Sequence, residues 1–174
     1  MNLLVDDPRL LAVGSFVRAK LRGFDLSRLD RFRIMANRGT SRYHGICMFP
    51  FNGLGYRVRV SVRMNQSFPY RERKAVSTWR KGAGTGGVVW GYSFREVVFA
   101  DVHELAVFVA GHEAFHFLRQ SRQIPGRQSE TQANAYGIDW LERWRAARRR
   151  EARRLRLERR AARQRAARRQ AARR

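Results

Sequence analysis

Cysteine is nearly absent from this chain, since Cys47 is the only one among 174 residues. A single thiol cannot form an intrachain disulfide, and it cannot build the cysteine sets that hold structural zinc. We therefore expect a reducing compartment and no cysteine-based zinc site.

Long apolar runs are also missing, because no stretch approaches 18 consecutive apolar residues. This absence excludes a predicted membrane span. The first seven residues become acidic early and lack the charged start and apolar run of a secretory signal peptide. The sequence therefore predicts an intracellular, cytoplasmic protein without a membrane partner.

Acidic residues are few beside the basic ones, 14 against 37, so the formal net charge is +23. The excess is uneven: residues 143–174 contain 16 Arg and 2 Glu, a net +14, and residues 1–142 carry the remaining +9. The length suits one domain plus an extension. We predict a domain over residues 1–142 and an Arg/Ala-rich C-terminal extension over residues 143–174.

His112, Glu113 and His116 form the strongest motif of the chain. A spacing of four places both imidazoles on one face of an α-helix, within reach of a single tetrahedral zinc ion. Glu113 points along the helix where it can approach a metal-bound water, as a general base does. The alternative is a core helix with two satisfied histidines, but burying these ionisable groups without partners or a metal is costly.

The residues before the motif favour a buried helix. Leu105, Phe108 and Val109 share the histidine stripe at helical spacing. Asp101 can cap the start of this helix, and Glu104 follows three residues later as in a capping box. The two histidines therefore occupy positions that would otherwise be apolar core.

The H-E-x-x-H spelling of residues 112–116 resembles the signature of the zincin metallopeptidases. In that fold a sheet strand runs directly before the motif helix, and the alternating runs 88–94 and 97–99 match this order. The preceding strand could then be the edge that pairs with an extended peptide.

A catalytic zinc held by two histidines and water needs a third protein ligand, which must lie downstream. Ser129 and Gln132 form another capping box, so a second helix is predicted to begin there. Glu130 and Asp139 are nine residues apart and face opposite sides of it, so only one can be the inward acid. By the same count His103 faces away from the motif. Glu130 shares its face with small residues that let two helices approach closely: Ala133, Asn134 and Gly137.

Residues 130–134 read E-x-x-A-N and are similar to the zinc-ligand segment of small gluzincin-like peptidases, including the ImmA/IrrE-type proteases. The resemblance covers about residues 88–145 and implies His112, His116 and Glu130 as zinc ligands, with Glu113 as the base. Glu130 could instead be an ordinary acid favoured at a helix N-terminus by the dipole. SprT-like proteases are a weaker relative, because their third ligand is a histidine after the motif and none follows His116.

The first part of the chain reads as a helix followed by strands. Asp7 and Pro8 begin an amphipathic helix that ends at Gly23. Strands are favoured from about residue 31 and are clearest at 56–63, where apolar residues alternate with arginines. A solvated outer sheet face accounts for these arginines, and contact with phosphate or an acidic substrate is the alternative.

Residues 64–86 are polar and are predicted to be irregular. Within them residues 82–87 spell G-x-G-x-x-G, a motif that binds dinucleotides where it follows a strand and opens a helix. A strand-like run follows here instead. We therefore reject nucleotide binding and expect a mobile turn flanking the substrate cleft.

The C-terminal extension is nearly all Arg, Ala, Gln and Leu. Its alanine pairs recur every five residues, which specifies no coiled coil. Ala and Arg favour helix while dense like charge opposes order, so we predict a helix that frays into a disordered tail. Such a tail would bind DNA or RNA without sequence preference by releasing counterions, although compositional drift also explains it.

Together these features predict an α+β, zincin-like metallopeptidase. An antiparallel or mixed sheet would pack on the H-E-x-x-H helix and on a second, ligand-bearing helix, and a basic helical or disordered tail would follow. Zn²⁺ is the expected cofactor, a protein or peptide is the expected substrate, and Tyr136 and Tyr92 are candidates for stabilising the oxyanion. The alternative is a nucleic-acid-binding protein that uses its tail and carries a structural or vestigial metal site.

Overall fold

The structure, a computed structural model, describes residues 2–81 and 88–171 and has an α+β fold. The strands are β1 (Leu3–Val5), β2 (Leu29–Asn37), β3 (Tyr43–Met48), β4 (Tyr56–Arg63), β5 (Tyr70–Lys81) and β6 (Val88–Phe99). The helices are α1 (Leu11–Leu21), which follows a 3-10 turn at Pro8–Leu10, α2 (Val102–Gln120) and α3 (Glu130–Ala171). The predicted α+β class is confirmed.

Four strands form a mixed sheet in the order β1–β2–β4–β3. The first three of these run parallel, and β3 pairs antiparallel with β4 at the end of the sheet. Alternate residues of β4 are buried, whereas Arg59 and Arg63 are exposed. The predicted amphipathic strand at 56–63 is therefore confirmed, and the sheet has one core face and one polar face.

Strands β5 and β6 form a separate antiparallel hairpin. The prediction of irregular structure is wrong for residues 70–81, which form β5. Charged side chains occur on both faces of β5, Arg71 and Arg73 on one and Glu72 and Lys74 on the other, so pairing with β6 rather than an apolar stripe specifies the strand. The glycine-rich segment 82–87, where we expected a mobile turn, lies outside the described residues, and strands flank it on both sides.

The core forms where α1 contacts β1 and α2, and where α2 contacts β3 and β4. In the N-terminal helical segment Leu10, Val13, Val17 and Leu21 are fully buried. Asp7 caps this segment as predicted, because its carboxylate accepts a hydrogen bond from the Arg9 backbone N–H at 2.9 Å.

Helices α2 and α3 meet through two glycines. A Cβ added to Gly111 would lie 3.0 Å from the Gly137 Cα, and one added to Gly137 would lie 2.7 Å from the Phe108 carbonyl oxygen. Ala133, one turn before Gly137, is fully buried. The close approach predicted from the small residues of α3 is confirmed, and it brings the start of α3 against the histidine face of α2.

The chain divides into two compact units, residues 1–141 and 142–174. In the second unit α3 stays helical through Ala171, and the described side chains from 148 to 165 are all exposed. The predicted helical continuation is confirmed through Ala171, and the expected fraying does not occur within the described residues, because an exposed helix spreads the arginines around its axis while keeping the helix preference of Ala and Arg. None of the described helices has the length and apolar character required to cross a bilayer.

Replacing Gly137 with alanine should destabilise the first unit, because the new methyl group would meet the Phe108 carbonyl and ring. We expect the free energy of unfolding to fall by about 1–3 kcal/mol, the usual cost of overpacking. Gly23→Ala is the matched control, since a Cβ there has no atom within 4 Å. Denaturant unfolding compares the two; equal midpoints would show that the close helix contact is not needed.

Candidate metal centre

The two motif histidines lie side by side on α2. The helix begins at the predicted cap: the Asp101 carboxylate accepts from the Glu104 backbone N–H at 2.9 Å, and the Glu104 carboxylate accepts from the Ala100 N–H at 2.8 Å. One turn apart, His112 and His116 place their Nε2 atoms 3.1 Å from each other. Both rings are largely shielded from solvent, with side-chain exposures of 15% and 12%.

Glu130 reaches the histidines from the first residue of α3. Its Oε2 lies 3.1 Å from His112 Nε2, and its Oε1 lies 3.4 Å from His116 Nε2. Ser129 caps the helix as predicted, since its hydroxyl accepts from the Gln132 N–H at 3.2 Å. The carboxylate is 76% exposed, so it closes the group from the solvent side.

The structure thus brings together the three residues that the sequence suggested as metal ligands. Asp139 and His103, which the helical count turned away from the site, do not line its cavity. His103 Nε2 instead lies 2.9 Å from the Arg9 carbonyl oxygen.

The spacing of the donor atoms fits a metal ion. Ligands at 2.0–2.1 Å from a tetrahedral zinc ion lie about 3.3 Å from one another. The two Nε2 atoms are 3.1 Å apart and His112 Nε2 is 3.1 Å from Glu130 Oε2, both close to that value. The distance of 3.4 Å from His116 Nε2 is to the other carboxylate oxygen, Oε1. One ligand atom from each of the three residues lies within 4.8 Å of the others, so the group is close enough to hold a single cation.

Asn134 sets the tautomer of His112. Its Oδ1 lies 3.1 Å from His112 Nδ1, and its Nδ2 donates to the Ala75 carbonyl oxygen at 2.9 Å. Because a carbonyl can only accept, the amide nitrogen must face Ala75, and Oδ1 must accept from the Nδ1–H of the imidazole. His112 Nε2 then carries a lone pair that faces Glu130 and lies 3.1 Å from His116 Nε2, so it can accept a hydrogen bond from His116 or bind a cation.

The charge states of the histidines suit a metal. Burial lowers the pKa of His112, and the neighbouring His116 lowers it further, although the Glu130 carboxylate opposes both effects. Burial also lowers the pKa of His116. Both rings are therefore neutral near pH 7, with lone pairs available for coordination.

Glu113 is buried against β3 and lies beside the ligand group. A Cβ on Gly45 would overlap the Glu113 carboxylate, so only glycine permits this approach, and the Cys47 backbone N–H donates to the same carboxylate. Burial and then the Glu130 charge raise the pKa of Glu113 to about 7, against the effect of the Cys47 hydrogen bond. Its Oε1 is 4.0 Å from His112 Nε2, close enough to exchange a proton with a water between them.

A cavity of about 650 Å³ opens on these groups, with β3 as its wall opposite α2. Burial and then the Glu113 charge raise the pKa of the Cys47 thiol to about 12, so this cavity residue stays protonated near pH 7 in the metal-free protein. Residues 88–94, expected to form the strand at the substrate edge, pair with β5 in the two-stranded hairpin, whereas β3 lines the cavity.

Lys74 of β5 also lines the cavity, and nothing in the sequence pointed to it. Its Nζ lies 2.6 Å from the Tyr43 hydroxyl and 2.7 Å from the Glu72 carboxylate. A lysine and a glutamate two residues apart share a strand face, but that spacing does not reveal which site they reach. The suggested oxyanion donors are placed elsewhere: Tyr136 contacts the rings of Phe115 and Trp140, and Tyr92 is exposed on β6.

No family model, curated protein or solved structure matches the chain.

The metal-free protein should respond to Glu113→Gln in a pH-dependent way. The carboxyl of Glu113 has a pKa of about 7 in the folded protein and an ordinary value of 4.5 when unfolded. Between these pH values only the unfolded state releases its proton, so the free energy of unfolding falls as pH rises. Glutamine removes this cost. We expect equal stability near pH 4.5 and a gain of up to roughly 3 kcal/mol for the variant at pH 8.

Chemical unfolding of chelator-treated protein across this pH range gives the measurement. Glu151→Gln is the control, because Glu151 is an exposed acid in the C-terminal unit. A stability difference for Glu113→Gln that stays constant with pH would mean that Glu113 is not buried as a carboxyl.

Proposed function

We propose that the chain is a zinc-dependent metallopeptidase of zincin-like arrangement, with His112, His116 and Glu130 as ligands. The supporting observation is that one donor atom from each of these three residues lies within 4.8 Å of the other two. Three ligands of this kind leave one coordination position open for water, as catalytic zinc sites do. Zinc held there would act as a Lewis acid on the scissile carbonyl and lower the pKa of the attacking water.

Glu113 would move the protons of the reaction. Its carboxylate would accept a proton from the attacking water and then donate that proton to the leaving amine. Burial raises the pKa of this carboxyl to about 7 in the metal-free protein, and a nearby zinc ion would lower it and so favour the carboxylate that accepts the proton. Gly45 and the Cys47 N–H hold the carboxylate against β3 for this role.

Strand β3 would align the substrate. It is the terminal strand of the four-stranded sheet and lines the cavity, so an extended peptide could add to its edge by main-chain hydrogen bonds. Phe49, which follows β3, also lines the cavity and is 64% exposed. We propose a peptide substrate with an apolar side chain that contacts Phe49.

Lys74 would bind the carbonyl oxygen of the substrate as that oxygen gains negative charge. Tyr43 and Glu72 occupy two of its three ammonium hydrogens, and the third remains for a substrate oxygen. The rings of Tyr43 and Phe108 lie 5.2 and 5.4 Å from Nζ, and the side chain is only 14% exposed. A positive charge that is largely shielded from solvent would strongly stabilise a developing oxyanion.

The full-length protein should bind one zinc ion per chain by elemental analysis and should cleave an unstructured peptide pool followed by mass spectrometry. The variant His112→Ala should lose the zinc. The variant His103→Ala should keep it, because His103 is a histidine of α2 that does not line the cavity. Glu113→Gln should keep zinc and cleave at least about 10²–10⁴-fold more slowly.

Two outcomes would contradict this proposal in different ways. Cleavage by Glu113→Gln at the wild-type rate would exclude Glu113 as the base. If the wild-type protein binds no zinc or cleaves no peptide, while nucleic-acid binding is equal in wild type and His112→Ala, the second candidate function below is favoured.

Lys74→Met should lower kcat by about 10²–10³-fold with little change in KM, the effect of removing one oxyanion donor. Lys74→Arg should retain part of the rate because it keeps the positive charge. Equal zinc content in both variants provides the control for folding. A change confined to KM would show that Lys74 binds the substrate without assisting the reaction.

The second candidate function is nucleic-acid binding through residues 143–174, with a structural or vestigial metal site. The favouring observation is that the side chains from 148 to 165 are all exposed on a continuous helix. With 16 Arg and 2 Glu in residues 143–174, this helix would bind DNA or RNA by counterion release, and the affinity would fall steeply with salt.

A further inference from the structure

We infer that the outer face of the four-stranded sheet binds the phosphate backbone of a nucleic acid. This arginine face is formed by five side chains: Arg31, Arg33, Arg57, Arg59 and Arg63. This inference does not depend on the proposed peptidase activity or on the C-terminal helix.

The arginine face lies on the side of the sheet opposite the metal centre. Gly45 and its partner Val60 face α2, since a Cβ on Gly45 would meet Val109 and Glu113 of that helix. Side chains alternate along a strand, so Arg59 next to Val60 must point to the other side. An anion bound there would therefore leave the peptide cavity free.

The strand register places the arginines next to one another. Between the parallel strands β2 and β4, Arg31 is paired with Arg57 and Arg33 with Arg59. Neighbouring strands are about 4.8 Å apart, and residues two apart on a strand project from the same face about 6.6 Å from each other. Four guanidinium groups thus form two adjacent rows, and Arg63 lies farther along β4.

Acidic side chains neutralise only part of this charge. Arg33 pairs with Asp6 at 2.6 Å and Arg57 approaches Asp30 at 3.8 Å. Arg31 and Arg59 are exposed and have no carboxylate partner among the described residues. Like charges directly opposite each other on neighbouring strands destabilise a sheet. A sheet face that is simply solvated avoids this cost by combining acidic and basic side chains. Rows of one sign are favourable when a polyanion lies across them.

A cavity beside the arginine face adds hydrogen-bond donors suited to phosphate. Its volume is about 650 Å³, and its lining includes Arg38, Thr40, Ser41 and Arg59. The Asn37 side chain holds the loop in shape, with bonds of 2.7 Å to the Gly39 N–H and 3.0 Å to the Ser41 carbonyl. Guanidinium and hydroxyl groups together match the oxygens of a phosphodiester.

The other residues of these rows indicate that the arginine face contacts the phosphate backbone of a nucleic acid and not its bases. Ile46 is paired with Arg59 and Met48 with Arg57 on β3. Proteins that bind the bases of single strands stack them on aromatic side chains. The rows formed by these pairs contain no aromatic side chain. Repeated arginines at regular steps suit a chain of phosphates better than one isolated anion.

The test uses the full-length variant Arg31→Gln/Arg59→Gln and the matched control Arg18→Gln/Arg22→Gln, which removes two exposed arginines near α1. Fluorescence anisotropy with oligothymidylate and with a DNA duplex is measured across salt concentrations. Loss of two phosphate contacts should lower the salt slope by about 1.4–1.8 and weaken binding roughly 25-fold or more near 0.1 M salt. The control should change far less, and the thermal midpoint of the sheet variant should not fall.

Modification of arginines by phenylglyoxal with and without bound oligothymidylate, followed by mass spectrometry, separates the arginine face from the C-terminal helix. Protection of arginines in residues 29–63 supports the inference. It is overturned if protection occurs only in residues 143–171, if the two double variants bind equally well, or if polyglutamate competes as effectively as DNA.

Discussion

The contact between Gly111 and Gly137 is the constraint on which the metal centre depends. With no side chains at this point, the backbones of α2 and α3 approach until an added Cβ on either glycine would meet backbone atoms or the Trp140 side chain. Glu130 lies two turns before Gly137 on the same helix, so the separation of the helices sets how far its carboxylate stands from the imidazoles. A larger residue at either position would widen the gap between ligands on different helices.

Electrostatics at the centre depend on the burial that this packing creates. Desolvation keeps the two histidines neutral and raises the pKa of the Glu113 carboxyl to about 7. Burying these ionisable groups would be costly for a purely structural core. A divalent cation would offset that cost, because it attracts the lone pairs and the carboxylates that otherwise face one another.

Local signals in the sequence were sufficient to predict the helices and the grouping of His112, His116 and Glu130. The caps at Asp101 and Ser129, the four-residue spacing of the histidines and the small residues after Glu130 each act within one or two turns. What could not be predicted depends on contacts between distant segments. Strand β5 carries charges on both faces and is specified by its partner β6, and Lys74 reaches the cavity only because β5 packs near the start of α3.

The hydrogen bond from Asn134 to the Ala75 carbonyl links the metal centre to the pairing of β5 with β6. Successive carbonyls of a strand point in opposite directions, so a one-residue slip of the hairpin would present an N–H at this place and turn the carboxamide of Asn134 around. His112 would then lose its acceptor at Nδ1 and favour the other tautomer, whose protonated Nε2 repels a cation. The register of a distant β-ribbon thus decides which imidazole nitrogen of α2 is free to bind a cation.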